Sequence, residues 1–203
     1  VVGFEVHSSI HYRGVSAVHE GARLIQWATE QNELNGAATP GPLASMFDPA
    51  YTTWHVGIIS GGTADNITAK DCYFKLGFRI VPGEDLSDWQ ARLMAKVAEL
   101  EAEMKAVRTE AGISAQQHHF VPGLVPEAQG RAEALVRQLT GENARNVVSY
   151  GTEAGQFQER GYSAVICGPG DIAQAHQPNE FVSVDQFRQG EVFISRLVDM
   201  LAE

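Results

Sequence analysis

One stretch in the middle of the chain has the apolar periodicity of a long amphipathic helix. Large apolar residues recur there every three or four positions: Leu86, Trp89, Leu93, Val97, Leu100, Met104 and Val107. Asp85 directly precedes the first of them and is a favourable N-cap. A helix with one apolar face has to bury that face against another layer of structure. The chain must therefore supply a sheet or a second helix beside it.

The segments around this helix alternate between strand and helix patterns. The spacing predicts a strand over residues 2–6, strands over about 51–60 and 70–81, and a weak strand over 113–120. It also predicts a helix over about 14–32, with its apolar face at Val15, Val18, Ala22 and Ile25. The resulting β-α-β-β-α-β order predicts a ferredoxin-like α+β domain, a four-stranded antiparallel sheet with two helices on one face.

A different pattern follows Pro122, Gly123 and Pro126, which interrupt the chain. Helices are predicted at 127–140, 153–160 and 184–202, and strands at 144–149 and 163–167. Ser183 and Gln186 form a capping-box pattern at the start of the last helix. Alternating strands and helices indicate part of an α/β layer.

The composition excludes several classes of partner. The net charge is -10 without a basic stripe, which argues against nucleic acid. No apolar run approaches the roughly 20 residues that span a membrane. Two distant cysteines, Cys72 and Cys167, imply no disulfide framework and favour the cytoplasm. Because the strand pattern begins at the very first residues, we expect the chain to be a portion of a longer protein.

His176 is the first candidate site residue, in a loop rich in glycine and proline. A neutral imidazole is a common zinc ligand, and Glu180, four residues on, could orient a neighbouring group. Spacing alone favours an ordinary exposed histidine, because zinc needs three or four ligands. The nearby Gly168 and Gly170 allow a tight turn or the close approach of a ligand.

Two further groups of candidates carry open alternatives. Thr152, Glu153 and Gly155 stand where a strand gives way to a short helix. They can bind a substrate carboxylate or ammonium group, or simply cap the helix. In the first domain His7 can donate to an oxyanion and Arg79 can pair with a carboxylate, while Asn66 is a further polar candidate. The alternatives are a surface histidine and a surface salt bridge; His19, His55, His118 and His119 are interpreted as ordinary histidines.

Several motifs, in this order along the chain, resemble the acetylornithine deacetylase family of zinc amidohydrolases. This family also includes succinyl-diaminopimelate desuccinylase and aminoacylase. The motifs are His7-Ser-Ser, Gly14-Val-Ser-Ala-Val18, Gly61-Gly-Thr-Ala-Asp-Asn66, Phe78-Arg-Ile-Val-Pro-Gly83, Tyr150-Gly-Thr-Glu-Ala-Gly155, Cys167-Gly-Pro-Gly170 and Gln174-Ala-His-Gln-Pro-Asn-Glu-Phe181. Each one alone is weak, but the ordered set is specific.

The resemblance implies a lid or dimerisation domain at 1–118 and the C-terminal portion of an α/β catalytic domain at 119–203. It implies that His176 ligates one of two zinc ions (cobalt being an alternative metal) and that His7 reaches into the partner subunit's site to polarise the scissile carbonyl. Substrate contacts are implied for Asn66, Arg79, Thr152, Glu153, Gly155 and Gly170.

The implied activity is hydrolysis of an N-acyl amino acid such as N2-acetylornithine, in arginine biosynthesis, by a cytoplasmic homodimer. The family's other metal ligands and its general-base glutamate precede the matching part, so we expect this chain alone to be inactive. Two alternatives stay open, a different acyl-amino-acid hydrolase and a non-catalytic dimerisation module.

Overall fold

The computed structural model describes residues 1–144 and 146–202, which form two compact units. Unit 1 comprises residues 1–120 together with 147–149, and unit 2 comprises residues 121–146 and 150–203. Within the described ranges, no helix combines the length and the apolar character that crossing a membrane requires.

Unit 1 contains an antiparallel hairpin of two strands. Strand β1 spans Thr53–Gly61 and strand β2 spans Cys72–Arg79. Thr53 pairs with Arg79 at one end and Gly61 with Cys72 at the other, with an irregularity between Val56 and Ile58. Both strands lie where the alternation of apolar residues predicted them.

The two outer segments of the sheet are shorter than the sequence predicts. Val2 bridges both Asp71 and Gly112, and its backbone exchanges hydrogen bonds of 2.8 and 2.9 Å with Gly112. The first segment thus lies between the start of β2 and Gly112, as in a four-stranded sheet, but through isolated bridges. The strand predicted at 113–120 does not form, because that stretch is mostly polar and lacks the alternation that would bury one face.

Helix α1 spans Ala17–Ala37 and buries a different face from the one predicted. Its buried residues are Ala17, Gly21, Leu24 and Ala28. Of the predicted residues, Val15 is buried just before the helix, whereas Val18 and Ile25 are half-buried and Ala22 is exposed. The physical reason is close packing of small residues on the sheet. A Cβ at Gly21 would stand 2.9 Å from the Cys72 sulfur. Large apolar side chains alone therefore did not identify the core face.

Helix α2 spans Leu86–Val107 and confirms its predicted cap and its predicted face, except at Val107, which is exposed. Asp85 accepts the Ser87 N–H, and the buried residues are Trp89, Val97, Leu100 and Met104. Trp54 of β1 lies at the centre of an aromatic cluster, with ring centroids 5.1 Å from Trp27, 4.6 Å from Phe78 and 5.8 Å from Trp89. Both helices thus pack on the same face of the hairpin, as the mixed α/β fold requires.

Unit 2 is helical in the residues that the structure describes. Its helices are α3 (Arg131–Thr140), α4 (Ala154–Glu159) and α5 (Val184–Ala202). The predicted capping at Ser183 is confirmed, since its Oγ accepts the Gln186 N–H at 3.2 Å. The structure also describes 3-10 turns at Ser8–Arg13, Ala44–Met46 and Ile172–Gln174.

The strands predicted at 144–149 and 163–167 do not form in the described residues of those ranges. Arg145, inside the first range, lies outside the described residues. A strand needs a neighbouring strand to satisfy its backbone. Here the Ala164 N–H instead donates to the Glu127 carboxylate at 3.1 Å. The 163–167 segment therefore has the composition of a strand but no neighbouring strand to pair with.

An apolar stripe runs along α5 and stays exposed. Val184, Phe187, Ile194, Val198 and Leu201 are each more than half exposed and recur at helical spacing. Among the described residues of unit 2, Leu139 is the one buried large hydrophobic residue. Unit 2 by itself therefore leaves its main apolar surface uncovered.

Candidate functional site

His7 lies at the end of the first segment and caps the 3-10 turn Ser8–Arg13. Its Nδ1 accepts the backbone N–H of Ser9 at 3.2 Å and lies 2.8 Å from the Ser9 hydroxyl. A ring nitrogen that accepts an N–H carries no proton itself, so the proton of the neutral ring is on Nε2. The exposed ring therefore presents an N–H donor to its surroundings.

Backbone contacts hold the Asn66 segment beside His7. The Ser8 N–H donates to the Asn66 carbonyl at 2.8 Å, and His7 forms a bridge with Ile67. Thr68 fixes the preceding residues, since its hydroxyl donates to the Phe4 carbonyl at 2.8 Å and accepts the Val6 N–H at 2.9 Å. Two predicted site residues, His7 and Asn66, are thus adjacent in space although far apart in sequence.

Arg79 lies away from this pair. It is the last residue of β2 and is exposed, whereas the turn with Asn66 precedes the first residue of β2. Seven steps along a strand separate the two ends by about 23 Å. Unit 1 therefore does not bring Arg79 to His7 and Asn66, and its assignment to the substrate site stays a prediction.

The start of α4 holds Thr152, Glu153 and Gly155 together. The Thr152 hydroxyl accepts the Ala154 N–H at 3.2 Å, which is a capping contact. The Glu153 side chain is exposed, and its carbonyl accepts the Gln156 N–H at 2.9 Å. Gly155 is buried, and a Cβ there would stand 2.0 Å from the Pro122 carbonyl oxygen. Glycine is thus required by close backbone packing, and the Glu153 carboxylate faces solvent.

His176 and Gly170 lie in the loop between α4 and α5. Gly170 has φ 114° and His176 has φ 58°, a left-handed conformation that is uncommon for histidine. Glu180 Oε2 accepts the His176 backbone N–H at 3.1 Å. Glu180, expected as an orienting carboxylate, therefore contacts the main chain of His176 and leaves its exposed ring available.

The described residues of this chain alone do not fit a zinc site. Zinc is held by three or four ligands, and no cluster of three or more candidate ligand side chains occurs among residues 1–144 and 146–202. The rings of His118 and His119 lie 6.3 Å apart. Cys72 is buried, and burial raises the pKa of its thiol. His176 is therefore a single candidate ligand.

The sequence did not point to two residues that position the His7 segment, Ser9 and Thr68. A serine two residues after a histidine was the only local signal, and it acquires meaning only once the 3-10 turn is known. Thr68 had no signal, because its partners Phe4 and Val6 are more than 60 residues away.

An antiparallel hairpin with two helices packed on one face makes unit 1 an α+β unit. The sequence profile of the family described as "Peptidase dimerisation domain" matches residues 1–105, and the chain belongs to this family.

Curated relatives match nearly the whole chain. Acetylornithine deacetylase from Myxococcus xanthus is 33% identical over 205 residues, covering 98% of this chain and 50% of the relative. The enzymes of that name from Pasteurella multocida and Edwardsiella ictaluri are 30% and 31% identical, with 98% of this chain covered and 50% and 49% of the relatives. The chain thus spans about half the length of the curated relatives it matches.

Solved structures support the same fold. A tripeptidase from Staphylococcus aureus superposes with a TM-score of 0.70 at 18% identity, covering 99% of this chain and 49% of the tripeptidase. An aminopeptidase from Bacillus cereus gives 0.67 at 18% identity, with coverage of 100% and 50%. At this identity the likeness concerns the fold alone, and it confirms the mixed α/β class.

Proposed function

We propose that this chain is the C-terminal half of a metal-dependent amidohydrolase that removes the acetyl group from N2-acetylornithine, giving ornithine and acetate. The observation that carries the proposal is the match of 98% of the chain to acetylornithine deacetylases at up to 33% identity. We further propose that the parent enzyme acts in arginine biosynthesis in the cytoplasm.

The two parts of the chain have different proposed roles. Residues 1–118 act as a lid and dimerisation domain, which is supported by the profile match to residues 1–105. Residues 119–203 form a portion of the catalytic domain. The uncovered apolar stripe of α5 supports this second role, because a stripe of that size needs further chain to cover it.

His7 is the proposed catalytic group of the lid. With Nδ1 engaged by Ser9, its Nε2–H can donate to the oxygen that becomes negative when water attacks the acyl carbonyl. Asn66, held beside it through the Ser8 contact, is proposed to bind the same intermediate or the substrate carboxylate. A hydrogen bond that strengthens as charge develops lowers the activation barrier and leaves the substrate affinity nearly unchanged.

The other substrate contacts are assigned by chemistry. Arg79 is proposed to pair with a substrate carboxylate across the dimer, since it lies away from His7 within its own unit. The exposed Glu153 carboxylate suits the side-chain ammonium group of ornithine. Thr152, Gly155 and Gly170 shape the backbone around the substrate.

His176 is proposed as one zinc ligand, with zinc or cobalt as the metal. One histidine does not make a metal site, so we propose that the remaining ligands lie elsewhere in the longer enzyme.

Dimerisation through the lid is supported by the open edge of the hairpin. In the described residues β1 pairs with β2 alone, and Ile58 and Ile59 on β1 are each 53% exposed. An exposed apolar strand edge favours pairing with a second copy. A dimerisation module without catalysis is the alternative if the longer protein proves inactive.

A substrate panel tests the proposed activity. The longer polypeptide that contains this chain is assayed with N2-acetylornithine, N-succinyl-diaminopimelate, other N-acetyl amino acids and a dipeptide. We expect the highest kcat/KM for N2-acetylornithine, and a loss of preference for the ornithine ammonium group in Glu153→Gln. A higher kcat/KM for a succinylated substrate or a dipeptide would overturn the assignment in favour of another hydrolase of this fold.

A further inference from the structure

Ser9 makes two contacts to the same nitrogen of His7. Its backbone N–H donates to Nδ1 at 3.2 Å, and its hydroxyl oxygen lies 2.8 Å from Nδ1. Because the amide always donates, Nδ1 has to be the acceptor, and the hydroxyl then donates to it as well. The two donors converge on the one lone pair in the plane of the ring, which restricts both the tautomer and the rotation of the imidazole.

The turn that carries Ser9 is itself fixed on both sides. The Ser8 N–H donates to the Asn66 carbonyl at 2.8 Å, and the Ile10 N–H donates to the His7 carbonyl at 2.9 Å. The Ser9 amide is therefore pre-oriented toward the ring before any ligand binds. With a proton on Nδ1, two N–H groups would face each other at 3.2 Å, which is repulsive.

We infer that Ser9 is a positioning residue that holds His7 as an Nε2–H hydrogen-bond donor. The inference rests on the proposed function of His7 in the lid. Ser9 acts through the His7 ring and has no contact of its own with the reacting atoms. Ser8 provides a matched control, because it is the adjacent exposed serine and its hydroxyl makes no hydrogen bond in the described part of the chain.

The first test measures the tautomer of His7 in this 203-residue chain and needs no activity. Nitrogen-15 NMR at alkaline pH reports which ring nitrogen carries the proton, with His7 assigned by the signal lost in His7→Gln. We expect a protonated Nε2 in the parent chain and in Ser8→Ala, a changed Nδ1 shift in Ser9→Ala because the hydroxyl donor is lost while the amide donor stays, and recovery in Ser9→Thr. A protonated Nδ1, or unchanged shifts in Ser9→Ala, overturns the inference.

The second test separates Ser9 from the proposed function itself. In the longer enzyme we expect Ser9→Ala to lower kcat about fivefold with little change in KM, because the variant loses one hydrogen bond that orients the His7 ring. Ser8→Ala and Ser9→Thr should be near the parent. A large loss in His7→Ala with none in Ser9→Ala overturns the role of Ser9 alone. No loss in His7→Ala overturns the proposed function of the lid histidine and the inference together.

Discussion

The carboxylate of Glu180 accepts the backbone N–H of His176, four residues earlier, at 3.1 Å. The contact closes a short loop around His176, which has φ 58° and an exposed side chain. A left-handed histidine is maintained only when its surroundings determine its conformation. Glu180 is therefore a structural support for the proposed zinc ligand.

Removing that support should weaken metal binding in the longer enzyme. We expect Glu180→Ala to lower zinc affinity about tenfold, the lower end of the range for residues that orient a ligand. Glu180→Gln keeps an oxygen acceptor and should cost little. Competition with a chromophoric chelator measures the affinity, and Glu191→Ala on α5 is the control. Equal losses in the Ala and Gln variants would show that charge, and not the hydrogen bond, matters.

Gly155 should tolerate no side chain. A Cβ there would meet the Pro122 carbonyl oxygen at 2.0 Å, so Gly155→Ala should destabilise unit 2 by about 1–3 kcal/mol through overpacking. Amide hydrogen exchange of α3 and α4 measures the loss. Gly168→Ala is the matched control, since nothing lies within 4 Å of its Cβ position. Equal exchange rates in the two variants would contradict the steric account.

The Glu127 carboxylate gives unit 2 a pH-dependent contact. The Ser163 hydroxyl and then the Ala164 N–H lower the pKa of Glu127 below its ordinary value. With a lowered folded-state pKa, the stabilisation is present above the ordinary carboxyl range and is lost as the pH falls through the lowered value.

Ser163→Ala should move the pKa of Glu127 back toward its ordinary value. Carbon-13 NMR titration of the Glu127 carboxyl group measures this, and Ser195→Ala on α5 should leave the titration unchanged. The stability difference between Ser163→Ala and the parent chain should shrink as the solution is made acidic. A difference that grows in acid would contradict the sign of this argument.

The lid should dimerise through the open edge of β1. Ile59→Lys introduces a charge at an exposed strand edge, which disfavours pairing with a second copy. By sedimentation we expect the parent chain at about twice 22.0 kDa and the variant near 22.0 kDa. Met94→Lys, an equal change on the exposed side of α2, should stay dimeric. A monomeric parent chain, or a dimeric Ile59→Lys, contradicts this interface.

The sequence predicted the elements whose signals are local. Helix α2 followed from its apolar spacing and from Asp85, and α5 from its spacing and Ser183. The buried face of α1 was misassigned because close packing selected Ala17, Gly21 and Ala28 over larger neighbours. The predictions of strands at 144–149 and 163–167 were wrong because strand formation depends on a partner strand, which local propensity does not reveal.

For the candidate site, the sequence predicted which residues to consider but not how they are arranged in space. The motifs named His7 and Asn66, but their adjacency depends on the register of segments some 60 residues apart. The motifs also suggested that Arg79 shares a site with His7 and Asn66, but Arg79 is the last residue of β2 and lies at the far end of the hairpin. The tautomer of His7 required the geometry of the Ser9 turn.

The central claim is that this chain contributes a lid and a single metal ligand to a larger amidohydrolase. The most direct measurement is the zinc content and the N2-acetylornithine hydrolysis of the 203-residue chain, beside the longer protein under identical conditions. We predict two zinc ions and turnover for the longer protein, and neither for the chain alone. Two tightly bound zinc ions with brisk turnover from the chain alone would contradict the account.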